Sequence, residues 1–239
     1  MRLVRWLPLA ALLAMTAAWG STFFLIKDLV TRLPVADLLA LRFVLASAAL
    51  VVVAGRRLRL TSEVLRRGLL LGGLYGVAQI LQTVGLASTA ASVSGFLTGL
   101  YVVATPLLAA LILRTRVSGW TWSAAGLATA GLGVLSLQGF ALGYGETLTV
   151  LSAVVYAGHI LALGRLSSPG TTLSLATVQT GTVAVVCTVA AVADGQLVLP
   201  ASGPDWSRVL YLAVVAGALT MFLQTWAQAR MEASRAAVV

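Results

Sequence analysis

Apolar positions fall in long runs along this chain, and polar residues recur inside those runs at helical spacing. Residues 68–113 show the pattern most clearly. They hold two apolar runs joined by the short uncharged link Ser88-Thr89-Ala90-Ala91. Each run is long enough for a bilayer core, which takes about 20 apolar residues per helix. So short a link predicts a tight turn, and hence an antiparallel helical hairpin.

Runs of the same kind recur at about 7–26, 34–54, 119–138, 146–164, 173–193 and 208–229. The pattern therefore predicts an all-α integral membrane protein with eight complete transmembrane helices. The first run is longer than a signal-peptide core and many spans follow it, so it is expected to remain as an uncleaved first helix. Pro34 suits a first helical turn, where its missing N–H is not needed. The roughly ten-residue alternation of a transmembrane β-barrel is not seen.

Composition agrees. Apolar residues make up 59% of the chain and charged residues 10%, against about 25% charged in soluble domains. The net charge of +9 would suit nucleic acid in a soluble protein. In a membrane chain it is better placed in cytoplasmic loops, and no nucleic-acid partner is expected. With the N-terminus inside, inward segments carry 12 of the 16 Lys and Arg residues, among them Arg56, Arg57, Arg59, Arg66 and Arg67. Outward segments carry only Lys27, Arg32 and Arg208, and Arg42 lies within a span. That bias predicts a cytoplasmic N-terminus. The single cysteine, Cys187, sits in an apolar run and is expected to be a small buried hydrophobe. No Cys/His spacing resembles a metal site, and no cofactor is expected.

The chain also begins to repeat itself. Leu81-Gln82-Thr83 recurs as Leu223-Gln224-Thr225, 142 positions later. At that offset Ala87 meets Ala229 and Ala91-Ser92 meets Ala233-Ser234, six identities in a 12-residue window. The corresponding helices lie five spans apart, so the repeats must have opposite orientation. Inverted repeats are a transporter architecture with the site near the midplane. The expected division is a first repeat of five helices at 1–138 and a second at 139–239. At this offset the partners of the fourth and fifth helices would extend about 40 residues past Val239. The expectation is thus a truncated second repeat with only a stub of a ninth helix. Such a chain would be inactive or would require a partner, for which a homodimer is one arrangement.

Polar and aromatic stripes mark four helices. They comprise Tyr75, Gln79 and Gln82; Ser94, Thr98, Tyr101 and Thr105; Ser152, Tyr156 and His159; and Thr220, Gln224 and Gln228. Each set shares a helix face and should turn away from lipid. One reading is a cavity that hydrogen-bonds a small polar substrate. The other is interhelical hydrogen bonding, which for Ser and Thr includes bonds to their own backbone. Arg42, eight residues into its helix, should pair or snorkel. It is either an anchor for an anionic group or an outer gate, or the partner of Asp37 in a structural ion pair. His159, the only histidine, can shuttle protons or stay neutral and hydrogen-bonded. Trp19 either lines the cavity or joins an interfacial belt. Pro106 should kink the fourth helix and provide a hinge. Gly68, Gly72 and Gly76, like Gly95 and Gly99, are spaced for close helix packing.

Several of these residues together resemble the EamA-type permeases of the drug/metabolite transporter superfamily. They are Trp19-Gly20-Ser21-Thr22-Phe23, Leu41-Arg42-Phe43, Ala91-Ser92, Phe96-Leu97, Thr105-Pro106-Leu107, Gln224-Thr225 and Gln228-Ala229-Arg230. The resemblance implies ten helices in two five-helix repeats, and movement of small metabolites across the bacterial inner membrane by alternating access. The small multidrug-resistance relatives couple protons through a carboxylate in helix one; this first helix has no Asp or Glu. A membrane enzyme is the competing class. Against it, the sequence contains no HExxH, no GxS-type serine motif with a histidine partner, and no paired intramembrane aspartates.

Overall fold

The computed structural model describes residues 3–114, 119–120, 122–123, 126–127, 130–131, 134, 143–193, 195, 197–231 and 233–238. The described residues are helical or irregular, with no strand among them. Seven of their helical segments are long and apolar enough to cross a membrane. The expected fifth span, 119–138, lies largely outside the described residues.

Helix α1 is Leu3–Leu29 and α2 is Val35–Ala54. Pro34 supplies the extended residue immediately before α2. Helix α3, Ser62–Ser88, starts six residues before the apolar run because Thr61 caps it. The Thr61 side chain accepts a hydrogen bond from the Val64 N–H, which satisfies one of the free donors of the first turn. Glu63 then pairs with Arg67 on the next turn. The expected hairpin turn falls at Thr89 and Ala90, both in extended conformation.

The return helix is broken into α4, Ala91–Gly99, and α5, Tyr101–Leu113. The interruption is at Leu100, and Pro106 lies inside α5. Gly99, a weak helix former, immediately precedes the break. Helices α6, Tyr144–Leu166, and α7, Thr172–Ala193, follow. The last long span comprises α8, Gly203–Ala213, a π-helical segment, Val214–Leu219, and α9, Thr220–Gln228. Ser202 caps α8 by accepting from the Asp205 N–H, and Pro204 occupies the first turn. A short helix α10, Ala233–Val238, ends the described chain.

Helix α3 is the centre of the packing and lies against both α6 and α7, while α7 also packs on α2. Glycines allow it. A Cβ at Gly72 would sit 2.5 Å from the Thr182 Cβ and 2.6 Å from the Gln179 carbonyl oxygen. A Cβ at Gly85 would sit 2.6 Å from the Gly145 carbonyl oxygen. The expected close-packing seam of α3 is therefore real, and it runs against two neighbours. Phe43, Tyr75, Tyr156, Val183, Cys187 and Met221 fill the core beside it.

Charges tie one end of the bundle together. Arg32 bridges Asp28 at 2.7 Å and Asp205 at 2.9 Å, and Arg208 reaches the same two carboxylates. The hydrogen bond to Asp28, with that to Asp205, raises the Arg32 pKa above its ordinary value. Lys27 donates to the Leu86 and Ala87 carbonyls at the end of α3. Asp205 is the acceptor shared by Arg32, Arg208 and Ser202. Asp205→Asn should therefore lower the Tm measured in detergent. The deficit should shrink in high salt, which screens such exposed pairs.

Candidate functional site

A cavity of about 340 Å³ lies among α1, α2, α3, α4, α5, α6 and α9. Its walls bring together Trp19 of α1, Arg42 of α2, Gln79 and Gln82 of α3, Tyr101 of α5, Tyr156 of α6 and Gln224 of α9. Phe23, Phe24, Phe96 and Ile160 supply much of its apolar wall. Seven of the expected site residues, Trp19 and Arg42 with five from the polar stripes, thus converge, although they span more than 200 positions of sequence.

The polar end is hydrogen-bonded in a definite order. Tyr156 donates to Gln82 Oε1 at 3.0 Å, and Gln82 Nε2 donates to Thr98 Oγ1 at 3.0 Å. Gln79 Nε2 donates to the Tyr75 hydroxyl at 2.9 Å, while Gln79 Oε1 accepts from Arg42 Nη1 at 3.3 Å. Each glutamine is held at both ends of its amide, which orients it without a charge. Gln224 is only 3% exposed, and its Oε1 has no hydrogen-bond partner.

Arg42 is 2% exposed. Its Nε donates to the Leu212 carbonyl at 3.2 Å and its Nη2 to the Ala216 carbonyl at 3.3 Å. Both acceptors lie at or beside the π-helical segment. A π turn displaces the i→i−4 ladder, and here the chain offers its carbonyls to side chains. Trp19 Nε1 uses the same Ala216 oxygen at 3.2 Å, and Thr220 Oγ1 at 3.0 Å. Trp19 therefore lines the cavity with its N–H bonded to the π segment and to Thr220. No periodicity in the sequence predicts the π segment; Gly217 within an Ala/Val run is its only local trace.

The expected Asp37–Arg42 pair does not form. Asp37 Oδ2 instead accepts from the Val198 N–H at 2.9 Å. Five residues along a helix turn the side chain about 140°, so the two point to different neighbours. Among the described residues no carboxylate pairs with Arg42.

Two of the expected site residues stand behind the cavity wall. Tyr75 packs edge-on against Phe43 and beside Tyr156 and His159. His159, fully buried, hydrogen-bonds through Nε2 to Gln179 Oε1 at 3.1 Å. Gln179 Nε2 donates to Thr225 Oγ1 at 2.9 Å, and Thr225 donates to the Met221 carbonyl. With its oxygen facing His159, Gln179 requires the proton on Nε2. The chain joins α6, α7 and α9. Pro106 is likewise absent from the cavity lining.

Residues 6–137 and 143–239 match the EamA-like transporter family. The chain belongs to the EamA-like transporter family. This EamA-like chain also shares its fold with solved structures, 10 of which match. One, whose title says only that it is the crystal structure of a protein, aligns with a TM-score of 0.74 at 19% identity. The alignment covers 96% of this chain and 81% of that one. No curated protein matches. The family makes this a multi-pass membrane transporter, whose setting is a lipid bilayer and whose cargo is a small molecule.

Proposed function

We propose that this EamA-like chain is a secondary transporter that moves small metabolites, amino acids or their derivatives among them, by alternating access. One observation carries the reading. Polar side chains from helices of both halves converge on one cavity inside a bundle of apolar helices. Such groups are costly in a bilayer and mark substrate pathways. The cavity is within the size range of small-molecule sites.

The proposed organisation is two inverted repeats, 1–138 and 139–239. The 142-residue recurrence around Gln82 and Gln224 supports it, as does a family match divided into two segments, 6–137 and 143–239. The proposed setting is the bacterial inner membrane with the N-terminus in the cytoplasm. Its support is the basic character of the bundle end that carries Arg56, Arg57, Arg59, Arg66, Arg67 and Arg165. The break at Leu100 and the π segment at Val214–Leu219 are the proposed points of bending, since neither keeps a continuous α-helical ladder.

The test is transport by purified protein in proteoliposomes, screened with small metabolites. Gln82→Ala removes the acceptor of Tyr156 and the donor to Thr98; Tyr101→Ala removes an aromatic wall. Each should lower transport per molecule about tenfold, with protein abundance in the membrane unchanged. Unchanged transport in both variants would take these two residues out of the pathway. No protein-dependent uptake of any metabolite would overturn the transporter reading.

A further inference from the structure

We infer that the molecule carried in this cavity is a small monoanion with an apolar or aromatic body, and that Arg42 binds its anionic group. The inference rests on the transport reading and names the substrate class.

Charge carries the argument. A guanidinium is cationic at any physiological pH. Arg42 is buried, lines the cavity, and has no carboxylate partner among the described residues. Its neighbours are two backbone carbonyls, one amide oxygen and the Phe43 ring, whose centroid lies 5.1 Å from its Cζ. The oxygens satisfy donors, but none of these neighbours cancels a charge, and a buried unpaired charge is strongly disfavoured. Three of its five N–H donors are engaged, which leaves two for a ligand. A carboxylate presents the acceptor pair that a guanidinium edge holds best.

A second observation points to the same ligand. Gln224 is buried, lines the same cavity and has its Oε1 unpartnered. Its amide carries both a donor and an acceptor, so it can serve a polar group next to the anion. The wall also offers aromatic and aliphatic surface, with Trp19, Phe23, Phe96 and Ile160, to an apolar body. Among the described residues no Asp or Glu lines the cavity. A cationic group would therefore meet Arg42 with nothing to offset the repulsion. The site thus favours monoanions over cations and over zwitterions, which narrows the proposed cargo from amino acids to derivatives and other metabolites without a free ammonium.

The experiment compares three probes of one shape on the purified full chain in detergent: phenylacetate, neutral phenylacetamide and cationic 2-phenylethylammonium. Kd is measured by equilibrium binding. Phenylacetate should bind about tenfold or more tighter than the other two, as expected for a charge-assisted hydrogen bond. Arg42→Lys should retain the preference and Arg42→Gln should lose it. Because Arg42 also holds the π segment, Gln224→Ala provides an independent check. It should weaken phenylacetate binding several-fold and leave the order of the three probes unchanged. Equal binding of phenylacetate and phenylacetamide would overturn the anion site and leave the transport reading intact. A preference for the ammonium, or an anion preference that survives Arg42→Gln, would do the same. Failure of all three to bind, in protein that also takes up no metabolite in vesicles, would remove both.

Discussion

Gly72→Ala should lower the Tm of the detergent-solubilised protein and reduce the yield of monodisperse material, although alanine is the better helix former. On an isolated helix the change would gain roughly 1 kcal/mol. In this bundle the new Cβ would stand 2.5 Å from the Thr182 Cβ and 2.6 Å from the Gln179 carbonyl oxygen. Real Cβ atoms do not approach neighbours so closely, and one of the two contacts is backbone, which cannot swing aside. Helices α3 and α7 must then separate. Overpacking of this kind costs about 1–3 kcal/mol, so the net effect should be destabilising. Gly76→Ala is the control. Its Cβ would lie 3.5 Å from Val183 Cγ2, an ordinary contact, so the helix gain should survive and the Tm should hold or rise. A stable Gly72→Ala protein would show that the α3–α7 seam is looser than described.

The second large effect is expected at Gln179. Gln179→Ala removes the acceptor of His159 Nε2 and the donor to Thr225 Oγ1 in one step. Interhelical hydrogen bonds in membranes average only about 0.6 kcal/mol, because unfolded helices also find partners. Truncating one member of a buried chain costs more, since the groups left behind stay desolvated, at about 1–3 kcal/mol. The loss should appear as a lower Tm. Discrimination among transported molecules should not change, because neither His159 nor Gln179 lines the cavity. His159→Gln keeps a side-chain amide that can face Gln179 and should recover part of the stability. If Gln179→Ala instead altered substrate preference at unchanged Tm, the His159–Gln179 chain would belong to the transport path.

These two positions show how differently the sequence exposed packing and chemistry. Gly68, Gly72 and Gly76 stand four apart, and the spacing alone predicts a close seam. It does not say that α7 is the neighbour. The stripe Ser152, Tyr156 and His159 shares one helix face, yet the structure divides its members. Tyr156 lines the cavity, while His159 is directed to a joint between helices. A helix face is wide enough to meet two surroundings, and period carries no information on where one ends. Asp37 and Arg42 were close in sequence and opposite in charge, but the helical turn between them sends each to a partner more than 150 residues away.

The sequence by itself determined the membrane class, seven of the helical spans apart from their first and last turns, the hairpin at Thr89, the glycine seam of α3 and the glutamines, Arg42, Tyr101 and Tyr156 of the cavity wall. All of these follow from local rules: run length against bilayer thickness, turn length, and the angle per residue of a helix. Only the tertiary structure decided the partners of Arg42, the π-helical segment that supplies them, the break at Leu100 and the separation of Tyr75 and His159 from the cavity. Each of these depends on which carbonyls and side chains arrive from distant helices. A buried hydrogen-bonding group takes the partner that the fold brings to it, and spacing along one helix cannot name that partner.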